Sequence, residues 1–380
     1  FYNPADCTVS ATLVFPFGAV PDYGYLYDTQ AETRILNADT EKYDININGE
    51  PVEKKLRHTL TYFGSQFELS KDMALLHDEF MEDDFYYPDM PVTRYTYIPE
   101  GVDTETYDAA NAAFVLSADA AKTRVLMENQ NGGKLLDNAV QLEGWVKSGE
   151  FIVNVIGEPL SQMPQWKFYE NGACENEIEG SMVLKDMEVT TLKDFALIAY
   201  DKNSGVSEAD WYNAIIESIK NMEWSNGAIS ASDFQFDVSD HLMRWYEYVM
   251  TLDGGERIVN TVTAPIYPSF DMNYEPTIYE YTYLLSPAKS WKSFGTLDIV
   301  VNTPYYMTES GSEGFERTEM GYSCHLTGLP EGELTFTLCS QSEAKAPAFY
   351  NNEVQILVIV LGIGVFAAIA VLFIRRKRRN

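Results

Sequence analysis

Four histidines, His58, His77, His241 and His325, limit the acid–base chemistry open to this 380-residue chain. A serine or cysteine nucleophile needs a histidine that an acid holds in place. No G-x-S-x-G elbow nominates a serine. Cys324 and His325 are adjacent in what reads as a strand, where neighbouring side chains point to opposite faces, so they do not form a dyad. "HDEFMEDD" (77–84) gathers one His and five acids, but lacks the His pair at i, i+4 of a zinc protease and reads as a solvated acidic helix end. "DKNSGVSEADWY" (201–212) opens like a calcium loop. Gly205 then falls one place early and Tyr212 stands where the bidentate Glu belongs, so the segment reads as a turn into a capped helix. Glycosidases need two carboxylates across a cleft. Among 57 acids no fixed motif selects a pair. No catalytic residue, metal ligand, cofactor-binding residue or cofactor is therefore expected.

The elements that would position such groups are mostly strands. Val9, Ala11, Leu13 and Phe15 alternate along one face before Pro16-Phe17-Gly18 is expected to stop the run. Asn48-Gly49 in "YDININGEPV" is a hairpin signal. "EFIVNVIGEP" and "DFALIAYD" read as short strands. Further stripes are Tyr246/Tyr248/Met250/Leu252, followed by a turn at Asp253-Gly254-Gly255-Glu256, then Tyr279/Tyr281/Tyr283/Leu285, Leu297/Ile299/Val301 and Leu334/Phe336/Leu338. Two helices interrupt the strands. One is "LSKDMALLHDEFMEDD" (69–84), with Ser70 as N-cap. The other is "SEADWYNAIIESIKNMEW" (207–224), where Ser207 and Asp210 form a capping box and Trp211, Ala214, Ile215, Ile219 and Met222 line one face.

The fold class expected is mainly β: two or more β-sandwich, Ig-like domains with short helical insertions, followed by one C-terminal transmembrane helix. The expected segments are 1–100 (β-rich with a short helix), 101–204 (a second β-rich domain), 205–235 (helical connector) and 236–340 (membrane-proximal sandwich). A stalk at 341–353, a membrane helix at 354–374 and a basic tail at 375–380 follow. The "VFPFG" and "ININGEPV" segments are alternatively strands of the membrane-proximal sheet, with the middle of the chain inserted.

Residues 354–374 carry no charge, and 21 residues at about 1.5 Å each span roughly 30 Å, a bilayer core. Arg375, Arg376, Lys377, Arg378 and Arg379 follow directly and are expected to stay in the cytoplasm, which puts the N-terminal part outside. No LPxTG-type motif precedes the apolar run, so it reads as a permanent anchor, and Gly362-x-Gly364 is not a GxxxG dimer motif. The opening "FYNPADCTVS" has no signal region, so a signal peptide is expected to have been removed or to be missing.

The formal charge is −30, and five of the 27 basic residues sit in the tail, so the rest is more acidic still. Such a field repels nucleic acid, which drops out as a partner. With 46% hydrophobic residues and 25 Tyr, the chain has enough apolar surface for packed cores rather than disorder. Cys7, Cys174, Cys324 and Cys339 match no zinc spacing. Cys324 and Cys339 flank the hairpin-like "CHLTGLPEGELTFTLC" and are the first candidate for a disulfide. There is no N-x-S/T sequon, which leans toward a bacterial surface.

Five stretches carry a resemblance: "VFPFG" (14–18), "INGEPV" (47–52), "LDGGERIVNTV" (252–262), "YTYLLSPAKSWKSFGTLDIVV" (281–301) and "GLPEGELTFTL" (328–338). In this order they resemble a group of uncharacterised single-pass surface proteins of clostridia-type gut bacteria. They are more distantly similar to a domain of unknown function in exported bacterial proteins. The resemblance implies a location and a β-rich build, and brings no catalytic residues. The function expected is that of a non-enzymatic surface protein at the cell membrane, N-terminal part outside, binding another macromolecule or serving an envelope-structural role. The alternatives are carbohydrate binding by exposed aromatics or, behind that, a surface glycoside hydrolase with paired carboxylates.

Overall fold

A computed structural model describes residues 1–19, 43–60, 78–230, 238, 242–264, 266, 268–272, 274–311 and 313–345. The expected membrane helix and basic tail, most of the expected helix at 69–84, and His77 and His241 lie outside the described residues. Among the described residues no helix is long and apolar enough to cross a membrane. The protein is mainly β, with several sheets, and its contacts divide it into two units: 1–20 with 44–263, and 21–43 with 264–380. This grouping differs from the segments expected from sequence. The first unit reaches past 236, and the helix expected as a connector sits in its core.

Two sheets of the first unit join its distant ends. One has the order β1 (Val9–Ala19), β15 (Leu242–Leu252), β4 (Lys55–Leu60); the other is β16 (Asn260–Thr263), β2 (Asp44–Ile47), β3 (Glu50–Pro51). Two of the sequence stripes turn out to be partners: Val9, Ala11, Leu13 and Phe15 pair with Leu252, Met250, Tyr248 and Tyr246. Cross-strand partners share a face of the sheet, where Met250 and Leu252 are buried and Leu13 packs against them. The strand does not stop at Pro16. It runs on to Ala19 through a register shift between Pro16 and Gly18. β1 is an edge strand, where a proline's missing N–H is tolerated. The Asn48-Gly49 turn forms as expected, with φ of 52° and 88°, the left-handed pair that a tight hairpin requires.

Two five-stranded sheets make up the middle of this unit. The first has the order β13 (Ser181–Thr191), β5 (Pro91–Glu100), β10 (Phe151–Gly157), β7 (Thr123–Met127), β14 (Ala228–Ile229). The second has the order β12 (Glu177–Ile178), β11 (Trp166–Tyr169), β6 (Asn111–Leu116), β9 (Ala139–Trp145), β8 (Gln130–Leu136). They share one core. Tyr95, Tyr97, Val125, Met127, Val153 and Val155 enter it from the first sheet, and Ala112, Phe114, Leu116, Val140, Leu142 and Phe168 from the second. Trp166 contacts Phe114, Phe151 and Tyr97 edge-on, with ring centroids 4.6, 5.2 and 5.6 Å away.

The opposite face of the first five-stranded sheet is covered by helices. Val92, Leu126, Ile156 and Ile229 pack with α2 (Glu208–Asn221), whose Trp211, Ile215 and Ile219 are buried as the sequence stripe requires. Ser207 caps α2, its Oγ accepting from the Asp210 amide at 3.0 Å. "DFALIAYD" is not a strand. Thr191 caps a short helix, α1 (Leu192–Ala196), which buries Leu192, Phe195 and Ala196. The Thr191–Asp194 cap outweighs a short apolar run, which by itself does not separate strand from helix.

In the second unit the sheets are β17 (Ser269–Asp271), β18 (Ile278–Tyr283), β23 (Leu334–Cys339), β20 (Tyr306–Ser310) and, separately, β19 (Thr296–Asn302), β22 (Gly321–Thr327), β21 (Glu316–Arg317). Here too expected stripes meet: Tyr279, Tyr281 and Tyr283 pair with Leu338, Phe336 and Leu334. Leu285, Ile299, Cys324 and Leu334 form the core. The expected hairpin across 324–339 is absent, because β22 and β23 belong to different sheets and residues 328–333 cross between them. All four cysteines are free thiols. Cys324 Sγ lies 3.6 Å from the Glu313 carbonyl and Cys339 Sγ 3.8 Å from that of Pro276, so the expected Cys324–Cys339 bridge is not formed.

Candidate functional site

The residues that alternate with the core side chains of β6, β9 and β11 face outward from the second five-stranded sheet. The register aligns them in rows: Tyr169, Asn111 and Trp145; then Lys167, Ala113 and Glu143; then Val115 beside Gln141. Small or short residues on β6 thus lie between long ones on β11 and β9, leaving a trough along β6. The segment 160–165 closes one end into a groove of about 390 Å³ whose lining includes Val115, Gln141, Gln162, Met163, Lys167 and Tyr169. Lys167 is the only charged residue lining it, and its ammonium pairs with Glu177. The hydrogen bond and the charge of Glu177 raise the Lys167 pKa, which keeps it cationic.

At the other end the trough is filled by a polar cluster. Asn111, fully buried, donates from Nδ2 to Cys174 Sγ at 3.4 Å and accepts from Asn131 Nδ2 at 2.9 Å. Gln141 Nε2 donates to Glu143 Oε1 at 2.7 Å. The 170–176 turn folds over Trp145, so closely that a Cβ at Gly172 would stand 2.8 Å from the indole. Burial pushes the Cys174 thiol up, and the Glu143 carboxylate adds to the rise, so this sulfur is a poor thiolate and a poor nucleophile. No carboxylate or histidine lines the groove itself. Amides, hydroxyls and an ammonium beside Met and Val side chains suit recognition by hydrogen bonds and apolar contact.

The groups with chemical potential in the sequence are placed elsewhere. His58 is buried in a charged cluster with Arg57, Asp210, Glu247 and Asp78. Arg57 Nη2 donates to Asp210 Oδ1 at 3.1 Å and Nη1 to Glu247 Oε2 at 2.9 Å, while the His58 amide donates to Asp210 Oδ2 at 2.8 Å. Burial works to lower the Arg57 pKa, but the hydrogen bond and charge of Asp210, with Glu247 and Asp78, hold it above its ordinary value. Asp210, expected as half of a capping box, instead ties α2 to β4. His325 pairs with Asp298 across β22 and β19 in an exposed position, and Cys324 beside it is buried. Asp83 of the acidic run accepts from the amides of Phe85 and Tyr86 and pairs with Lys220 at 3.2 Å. Among the described residues no group of acids, histidines and cysteines could hold a metal. At the calcium-like stretch, Asp201 Oδ1 accepts from the Asn203 amide at 2.8 Å, the turn expected there.

Sequence reasoning missed Gln141, Trp145, Lys167 and Tyr169. Their alternation with core residues was a signal that they face outward. That β11, β6 and β9 lie side by side was not readable, because the pairings join residues far apart in the chain. No protein-family profile, curated protein or solved structure matches the chain, so the functional reading rests on this geometry.

Proposed function

We propose that the chain is a membrane-anchored extracellular surface protein that acts by binding another protein rather than by catalysis. Residues 354–374 hold it in the membrane and 375–379 stay in the cytoplasm. In this reading the face-packed five-stranded sheets form one β-sandwich and the sheets of the second unit another, both Ig-like. The observation that carries the reading is the trough along β6. Gln141 and Gln162 beside Val115 and Met163 match an extended partner segment, amides taking its backbone and apolar groups its side chains.

Site-specific photo-cross-linking on intact cells tests this. A photoreactive residue replaces Val115, 52% exposed in the groove, or Val300, 67% exposed on a strand of the second unit. A single protein adduct from position 115, absent from position 300, is expected. The same adducts from both positions, or none from position 115, would overturn the reading.

A further inference from the structure

The second unit has a pocket of about 520 Å³, within the roughly 300–1,000 Å³ range of small-molecule sites. Tyr274, Tyr279 and Tyr305 supply its aromatic lining, and Glu275, Thr277 and Gln341 are among its polar groups. The tyrosine stripe of β18 divides here. Tyr281 stacks on Phe336 with centroids 5.3 Å apart and belongs to the packed sheet, whereas Tyr279 lines the pocket. Its ring centroid is 6.2 Å from that of Tyr305 at a 34° tilt, and Tyr305 is 38% exposed.

We infer that this pocket binds a neutral pyranose sugar, the terminal unit of a glycan. A pyranose has an apolar C–H face and a rim of hydroxyls, each both donor and acceptor. Tyrosine rings take the first. The Glu275 carboxylate accepts from the second, the Thr277 hydroxyl donates and accepts, and the Gln341 amide does both. Among the described residues no lysine or arginine lines the pocket, so it offers no cationic side chain to a carboxylated, sulfated or phosphorylated sugar. The rim is held in advance. Glu275 and Lys345 exchange both backbone hydrogen bonds at 3.0 Å, and behind the pocket Cys339 Sγ faces the Pro276 carbonyl. This site does not depend on what occupies the trough of the first unit.

The test is saturation-transfer NMR on the full chain in phospholipid nanodiscs, with cellobiose, maltose, N-acetyllactosamine and glucuronic acid as probes. At least one neutral disaccharide is expected to receive saturation on its ring C–H protons, and glucuronic acid none. Tyr305→Ala, at an exposed position, should weaken that binding about ten-fold, the order of one lost aromatic contact, and Gln341→Ala, also exposed, by a similar factor through its lost hydrogen bonds, with no change in melting temperature. Val300→Lys, exposed on β19 and outside the pocket, should leave it unchanged. Saturation of none of the neutral probes, preferential binding of glucuronic acid, or binding that survives both pocket substitutions would overturn the assignment.

Discussion

At the scale of single residues, a buried ion pair fastens α2 to β4. The Arg57 side chain is 2% exposed and that of Asp210 is fully buried, so neither charge has water to fall back on. Removing Asp210 leaves the buried Arg57 with only its more exposed partners Glu247 and Asp78, and breaking a buried pair costs up to about 3–5 kcal/mol. Asp210→Ala is therefore expected to lower the unfolding free energy by roughly that amount in urea denaturation, since it also leaves the His58 amide without its acceptor. Replacing Arg57 and Asp210 together by Met and Leu should cost less than Asp210→Ala alone, because the fully buried pair leaves together and Glu247, which loses its partner, still reaches water. A double variant as unstable as the single one would mean that the pair also does something its charges do not explain. Ser207 was legible as a helix cap from its place before an apolar stripe. The role of Asp210 was not, since its partner is 153 residues away.

At the scale of elements, strand stripes were readable and strand neighbours were not. The stripe 9–15 meets 246–252, and 279–283 meets 334–338, so each stripe implied a buried face without saying which other stripe would share it. The hairpin expected across 324–339 failed for the same reason: "GLPEG" reads as a tight turn, yet it carries the chain from one sheet to another. One turn position has a sharper consequence. Gly157, at the end of β10, has φ of +94°, and a Cβ there would stand 2.3 Å from the Lys122 carbonyl oxygen. Gly205 has φ of +81° with nothing within 4 Å. Gly205→Ala is expected to cost only backbone strain, about 1–2 kcal/mol. Gly157→Ala adds a clash with main chain that cannot swing away, for roughly 3 kcal/mol or more. Chemical denaturation of the two variants compares them directly, and equal losses would show that the Lys122 main chain moves aside.

At the scale of the whole molecule, composition bounded the build: aromatic and apolar content promised packed β cores. The candidate site was illegible because it is a product of topology. Its rows of Tyr169, Asn111 and Trp145 exist only once three non-consecutive strands lie together. The proposed anchor is the converse, since it is argued from a charge-free run followed by five basic residues and draws on no tertiary structure. The sidedness proposed for it is what would make this a surface protein, and the cysteines report on it. Cys7 is exposed, Cys324 and Cys339 are buried, and Cys174 is half-buried with a raised thiol pKa, so Cys7 should react fastest with a maleimide. The most direct measurement is labelling of intact cells with a membrane-impermeant maleimide, for the native chain and for a Cys7→Ser, Asn380→Cys variant. Rapid labelling of Cys7 on intact cells, with position 380 reacting only after permeabilisation, is the predicted result. Labelling at position 380 on intact cells, or protection of Cys7 until the membrane is opened, would contradict a surface protein.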